Sequence, residues 1–320
     1  MTLNIHWLLD PAADPQRSEP GAQRSLPALV HDRRAESRNR FDYFVQIAQA
    51  AAQTGFDGLF VRHRTEADES RIIAAVVARA VSRLRVIPEF PASVGSAVYA
   101  AKQASSFQRS AQGRLGWAIA PDADQATRES EADFVPQDDL GQRLDEFLTV
   151  ARGVHEQRPF SFKGTYFEVE NGGFEAPLTR HPFPRLFLQG EDEAALQRSA
   201  RHADVHVFQA APVEELTQRI AQLTALAEKQ GRKVAAGLIQ PLFLRETQKD
   251  ADRDARSRDL APGTIVAGYD EAAERIADYA RAGVRELVVA ATPLLEEAYR
   301  TGQHLLPRLR TRIDVARQAA

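Results

Sequence analysis

The stretch KVAAGLIQPLFLRET at residues 233–247, followed after a charged segment by VVAATPLLEEAYR at 288–300, decides how the whole chain is read. In a chain that alternates strands with helices, these are the last two places where strands of a barrel deliver side chains to an active-site face. What they deliver here is mostly apolar.

Working outward from them, the alternation extends over the whole sequence. Strands are expected at 3–9, 56–61, 84–90, 114–120, 185–189, 204–209, within 234–244, and at 286–290. Helical spacing of apolar residues fills 41–54, 70–81, 97–110, 138–157, 191–201, 213–229 and 271–281, with a last helix from about 294. Gly55, Gly231 and Gly283 stand where three of these helices should stop. Pro88 removes a ladder donor within its strand and blurs that strand's end. Eight strands separated mainly by helices predict an α/β fold, a (β/α)8 TIM barrel spanning residues 1–320 as a single domain. An open doubly wound sheet is the alternative, but no glycine-rich dinucleotide fingerprint follows the first strand.

Two segments interrupt the alternation. Residues 11–39 are rich in Pro, Ser, Arg, Glu and Ala without a sustained period. They read as a long flexible loop, a candidate lid whose Arg33, Arg34, Arg38 and Arg40 are either solvated or anion-attracting. FSFKGTYFEVE reads as a small hairpin outside the main sheet, at 160–170.

Composition narrows the function. The 320 residues are 43% hydrophobic and 27% charged with a formal net charge of -3, which gives no pull toward nucleic acid or acidic membranes. Absence of cysteine excludes disulfides, thiolate catalysis and cysteine-ligated metals, and fits a cytoplasmic protein. No apolar run reaches transmembrane length, and the amino terminus reads as a first strand rather than a signal peptide.

Six stretches resemble the bacterial luciferase-like flavin monooxygenases, in the alkanesulfonate monooxygenase branch. They are LNIHWLL; IAQAAAQTGFDGLFV; AAKQASSFQRSAQGRLGWAI; FKGTYFEVENGGFEAP with HPFPRLFLQG; EKQGRKVAAGLIQPLFLRET; and AAERIADYARAGVRELVVAATPLLEEAYRTGQHLLP. Together they span nearly the whole chain in the family's order. The resemblance implies a luciferase-like barrel that binds reduced FMN from a separate flavin reductase, uses oxygen on a small organic substrate such as a sulfonate, and forms a homodimer. The cofactor would carry the chemistry while the protein binds, orients and excludes water.

Position by position, the family's basic residue and histidine on strand seven correspond to Ile239 and Pro241, with Gln240 between them. Its active-site tyrosine and neighbouring histidine fall at Thr292 and Leu294, and its cysteine beyond strand two near Glu66 or Ala67. Its Gly-Gly-Ser-Ser phosphate turn corresponds to Gln189, Gly190, Glu191 and Asp192, where two carboxylates repel phosphate but favour a helix start. The link from Thr247 to Ile265 is short, so the carboxyl-terminal insertion that carries the family's mobile lid is reduced. These replacements keep a second function open, a catalytically degenerate barrel that binds a ligand or a protein.

The candidate catalytic residues are therefore His63, Gln240 and Thr292, and the candidate cofactor-binding residues His6, Gln189, Gly190 and Gln209. His63 stands between Arg62 and Arg64, where a base or an anion contact is as compatible as a plain salt-bridged loop. His6 and His206 lie within strands and either face the mouth or satisfy a buried hydrogen bond. The three histidines could make a metal site only by converging with Asp204 or Glu89. The glutamines suit flavin edges or inert polar plugs, and Trp7 and Trp117 suit ring contact or core packing.

Overall fold

A computed structural model of the chain describes residues 2–14, 39–93 and 95–318; most of the expected 11–39 loop, with Arg33, Arg34 and Arg38, lies outside them. The strands described are β1 (Asn4–Leu9), β2 (Gly58–Val61), β3 (Arg85–Phe90), β4 (Gly116–Ile119), β5 (Phe160–Lys163), β6 (Glu168–Gly172), β7 (Arg185–Gln189), β8 (Val205–Gln209), β9 (Ala235–Arg245), β10 (Ile265–Gly268) and β11 (Val284–Ala290). All but β5, β6 and β10 pair in parallel around a closed ring in which β9 joins both β8 and β11, and β11 joins β1. This is the (β/α)8 barrel expected from the alternation.

The helices are α1 (Arg40–Thr54), α2 (Ser70–Ala80), α3 (Ala97–Ser110), α4 (Gln125–Ser130), α5 (Leu140–Glu156), α6 (Glu193–His202), α7 (Val213–Lys229), α8 (Gln248–Ala255), α9 (Tyr269–Ala282), α10 (Leu294–Arg300) and α11 (Leu306–Gln318). Local chemistry sets their ends. Asn39 and Asp42 form a reciprocal capping box at the start of α1, and Gly55 at φ +93° ends it in a conformation that a side chain would strain.

Strand alternation sorts side chains between two cores. Ile5, Trp7 and Leu9 face the helices, whereas Leu8, Phe60, Ile87, Ala118, Phe187, Val207, Ile239 and Val288 fill the barrel. The interior is thus a packed plug. Both tryptophans face outward: Trp7 packs against Phe56 at 5.4 Å and Trp117 against Phe90 at 5.0 Å.

At the amino-terminal end of the barrel the helices finish, leaving carbonyls without intrahelical partners. Arginines take them. Arg114 donates to the carbonyls of Ala78, Val81 and Leu84, Arg232 to those of Ala200, His202 and Ala203, Arg285 to Ala280, and Arg310 to Gly55. The cation also suits the negative end of the helix dipole.

Inside that same end lies a buried polar cluster. Glu286 meets His6 Nε2 at 2.7 Å, Asn4 Nδ2 at 2.9 Å and the Arg185 guanidinium. Burial pushes the Glu286 carboxyl up, but the hydrogen bond from His6 and the charges of His6 and Arg185 outweigh it and hold the group below the usual range. Gly58 is required beside it, since a β-carbon there would stand 2.4 Å from His6 Nδ1.

The charged helix expected after the seventh strand is α8. Two features depart from expectation. β9 runs on past residue 244, and its Leu242–Arg245 half pairs with β10, a strand that four residues in a loop-like setting did not announce. The last helix is interrupted by a π-helical stretch at Thr301–Leu305. The expected hairpin is β5–β6, and buried Glu146 of α5 holds its turn by accepting the backbone N–H groups of Thr165, Tyr166 and Phe167.

Candidate functional site

At the carboxyl-terminal rim, the inward positions following the apolar plug carry polar groups. Phe60 is followed at the same phase by Arg62, Ile87 by Glu89 and Phe187 by Gln189. Glu89 is only 3% exposed, and its two carboxylate oxygens are shared between neighbours. One accepts the His63 backbone N–H at 2.9 Å; the other accepts the Gln189 side-chain amide at 2.7 Å. Arg62 Nε lies 3.9 Å from Glu89 and, among the described residues, is buried without a hydrogen-bond acceptor.

The flanking groups are more fully paired. Arg64 Nε lies 3.1 Å from each Asp10 oxygen, and that hydrogen-bonded carboxylate holds the guanidinium above its ordinary value. The Ser70 hydroxyl donates to the Glu89 carbonyl, fastening the start of α2 to the end of β3. Asp14 accepts from the Leu294 N–H at 2.6 Å and the Tyr43 hydroxyl at 2.9 Å, tying the segment after β1 to α10 and α1. Chemically, the rim offers an apolar floor edged by a carboxylate, an amide and an unsatisfied guanidinium N–H. Such a surface can orient a flat ligand with several hydrogen-bonding edges.

The residues singled out from the sequence separate. His63, Gln189 and Gly190 come together at this rim, and Gln209 ends the adjacent β8 in an exposed position. Thr292 is exposed in the loop after β11. Gln240 does not reach the rim: it faces away from the barrel, fully buried, and donates to the carbonyls of Pro241 and Gly263 at 2.9 and 2.8 Å. His6 lies at the other end of the barrel in the Glu286 cluster. His206 faces outward to Ser199, its Nδ1 2.7 Å from the hydroxyl, so the three histidines do not converge. Among the described residues no group of three or more potential ligands could hold a metal ion. From the sequence Arg62 enters only as a neighbour of His63 and Glu89 only as a conditional metal partner; continuing the inward phase of β2 and β3 by two residues places both on the rim.

FMN, implied by the resemblance, has a flat ring and a phosphate, and the two fit this chain differently. The rim suits the ring. The turn Gln189–Asp192 does not suit the phosphate, because the α6 start is already capped: Asp192 accepts the Ala195 N–H at 2.7 Å, and Glu191 pairs with Arg219.

Solved structures share the architecture. EDTA monooxygenase from Chelativorans sp. BNC1 superposes with a TM-score of 0.80 at 17% identity, over 97% of this chain and 94% of that one. Riboflavin lyase, solved with modified FMN and riboflavin, gives 0.78 at 15% identity over 98% and 92%. The coenzyme F420 dependent tetrahydromethanopterin reductase of Methanopyrus kandleri gives 0.73 at 12% identity over 97% and 100%. At such identities the likeness establishes the fold alone. The sequence profile described as "Luciferase-like monooxygenase" matches residues 14–292, which is most of the chain, and the protein belongs to that family.

Proposed function

We propose that the chain is a flavin-dependent oxidoreductase of the monooxygenase kind, acting with reduced flavin and oxygen on a small organic substrate. The observation that carries this reading is the rim itself: Glu89 buried between Gln189 and His63, with the Arg62 Nε left without an acceptor among the described residues, above an apolar plug. A buried carboxylate and an unsatisfied guanidinium N–H at the carboxyl-terminal face of a parallel barrel are where such folds bind and orient ligands. In this reading Arg62 and Gln189 orient the ring and the substrate, Glu89 fixes both side chains, and the plug below excludes water. The flavin supplies the redox chemistry when bound.

The finer reading follows the family. FMN would come reduced from a separate reductase, alkanesulfonates are the first substrates to try, and the chain would act as a homodimer in the cytoplasm. Ile72, Val76 and Tyr99, large apolar residues exposed on α2 and α3, support self-association, which sedimentation velocity tests. No helix among the described residues is long and apolar enough to cross a membrane.

The test is to combine purified protein with a flavin reductase, reduced nicotinamide and candidate sulfonates, and to follow oxygen uptake and sulfite release. Substrate-dependent uptake above the reductase alone is the expected result. A second reading, a barrel that binds a ligand without turning it over, is favoured by the self-capped start of α6. It predicts ligand binding with no added oxygen uptake.

A further inference from the structure

Resting on the flavin reading above, we propose that Glu191 and Asp192 exclude the phosphate of a flavin from the start of α6, so that the chain holds flavin by its ring and gains nothing from the 5′-phosphate.

A phosphate at a helix start needs free backbone N–H groups and a positive local field. Both are reduced here. The Ala195 N–H belongs to Asp192 at 2.7 Å. The Gln209 N–H, the nearest amide on the adjacent strand end, points at Glu191 at 3.4 Å. The basic side chain of the turn, Arg219, pairs with the Glu191 carboxylate, donates to the Glu191 carbonyl at 2.9 Å, lies 3.9 Å from Glu215 and covers the Phe208 ring at 5.1 Å. Glu193 adds another carboxylate in the first turn of α6. Arg219 thus faces Glu191 and Glu215, with Asp192 and Glu193 beside them, and a phosphate dianion would meet net negative charge.

The backbone closes the turn as well. Gly190 holds φ +137°, and a β-carbon on it would stand 2.4 Å from the Ala195 β-carbon. The chain therefore folds directly onto the first helical turn, in the space where a phosphate would seat against the amides. Gly190 remains essential to this turn, but for closing it.

The experiment compares FMN with riboflavin, oxidised and anaerobically reduced, by fluorescence titration of the full-length protein. Wild type is expected to bind riboflavin as tightly as FMN or up to about tenfold more tightly. Glu191→Gln together with Asp192→Asn removes both charges, frees Arg219 and keeps a good capping residue, as a thermal melt within a few degrees of wild type will verify. That variant should shift the FMN-to-riboflavin ratio toward FMN by about tenfold. FMN binding more than tenfold tighter than riboflavin in wild type overturns the inference and leaves the flavin reading standing, as does a ratio unchanged in the variant. Failure of both flavins to bind at millimolar concentration overturns the flavin reading itself, and this inference with it.

Discussion

Lowering the pH from about 7.5 to about 4.5 should remove about 2–3 kcal/mol of stability through one side chain, His206. Its imidazole is fully buried on the outer face of β8, against Ser199 of α6, the Phe208 ring and the backbone of Gly190. Burial, then the nearby charge of Arg219, push its pKa down to about 4. An unfolded histidine titrates near 6.5, so between these values the unfolded chain takes up a proton that the native one refuses. Stability is therefore nearly intact above about pH 7, falls as the pH drops through about 6.5, and levels off only below the folded value of about 4, where the whole difference approaches about 3 kcal/mol. Urea unfolding of wild type and His206→Gln across this range isolates the effect, because contributions of the other titrating groups cancel in the difference. At neutral pH the variant should be less stable by about 1–3 kcal/mol, for the lost Ser199 contact and altered packing. By pH about 4.5 that gap should narrow by about 2–3 kcal/mol, or reverse. A gap constant within about 0.5 kcal/mol over the range would refute the reasoning, since it would mean that His206 protonates without resistance from its surroundings.

Four substitutions at three positions probe the rest of the structure. Glu146→Ala removes the acceptor for three backbone N–H groups of the hairpin turn; it should cost about 2–3 kcal/mol in urea unfolding and open residues 163–167 to limited proteolysis. Glu89→Leu leaves the His63 N–H and the Gln189 amide without their acceptor and should cost about 3 kcal/mol. Glu89→Gln should stay within a few degrees of the wild-type melting temperature yet lose at least about tenfold in substrate-dependent oxygen uptake; uptake at the wild-type level would show that the charge is not needed. Gly58→Ala forces a β-carbon against His6 Nδ1 and the Arg85 carbonyl; about 2–4 kcal/mol should be lost, read as a lower urea midpoint.

Most of the barrel could be read from the chain because its strands and helices repeat two periods of hydrophobicity. Glycines such as Gly55 and Gly283, at φ +93° and +117°, stand where positive φ is needed. β10 escaped because its four residues gain their identity only from pairing with the extended end of β9. The phase of β9 escaped for a related reason. Ile239 and Pro241 face inward because Val288 and Ala290 oppose them across the barrel register, and this turns Gln240 outward to the loop at Gly263. Apolarity on both faces hides that phase in the sequence, and a slip of one residue exchanges the two faces. Glu286 and His6 are 280 positions apart and meet because β11 closes against β1, a contact that no local spacing encodes.

The two ends of the barrel show why burial of charge alone does not mark a site. At the amino-terminal end Glu286 receives donors from Asn4, His6 and Arg185, and the free His6 Nδ1 faces the backbone of Gly58 with no room for another atom. That cluster ties β1, β7 and β11 together through side chains that already pair with one another. At the carboxyl-terminal end Glu89 is equally buried, yet Arg62 beside it retains an N–H without an acceptor among the described residues. A buried donor left unpaired costs about 1–3 kcal/mol, a cost that a ligand seated on the rim could remove. The same test separates the rim from the start of α6, where Asp192 and Glu191 have already taken what a phosphate would use. On the proposed flavin reading, binding energy would come from a ring over the barrel mouth and not from an anion beside it.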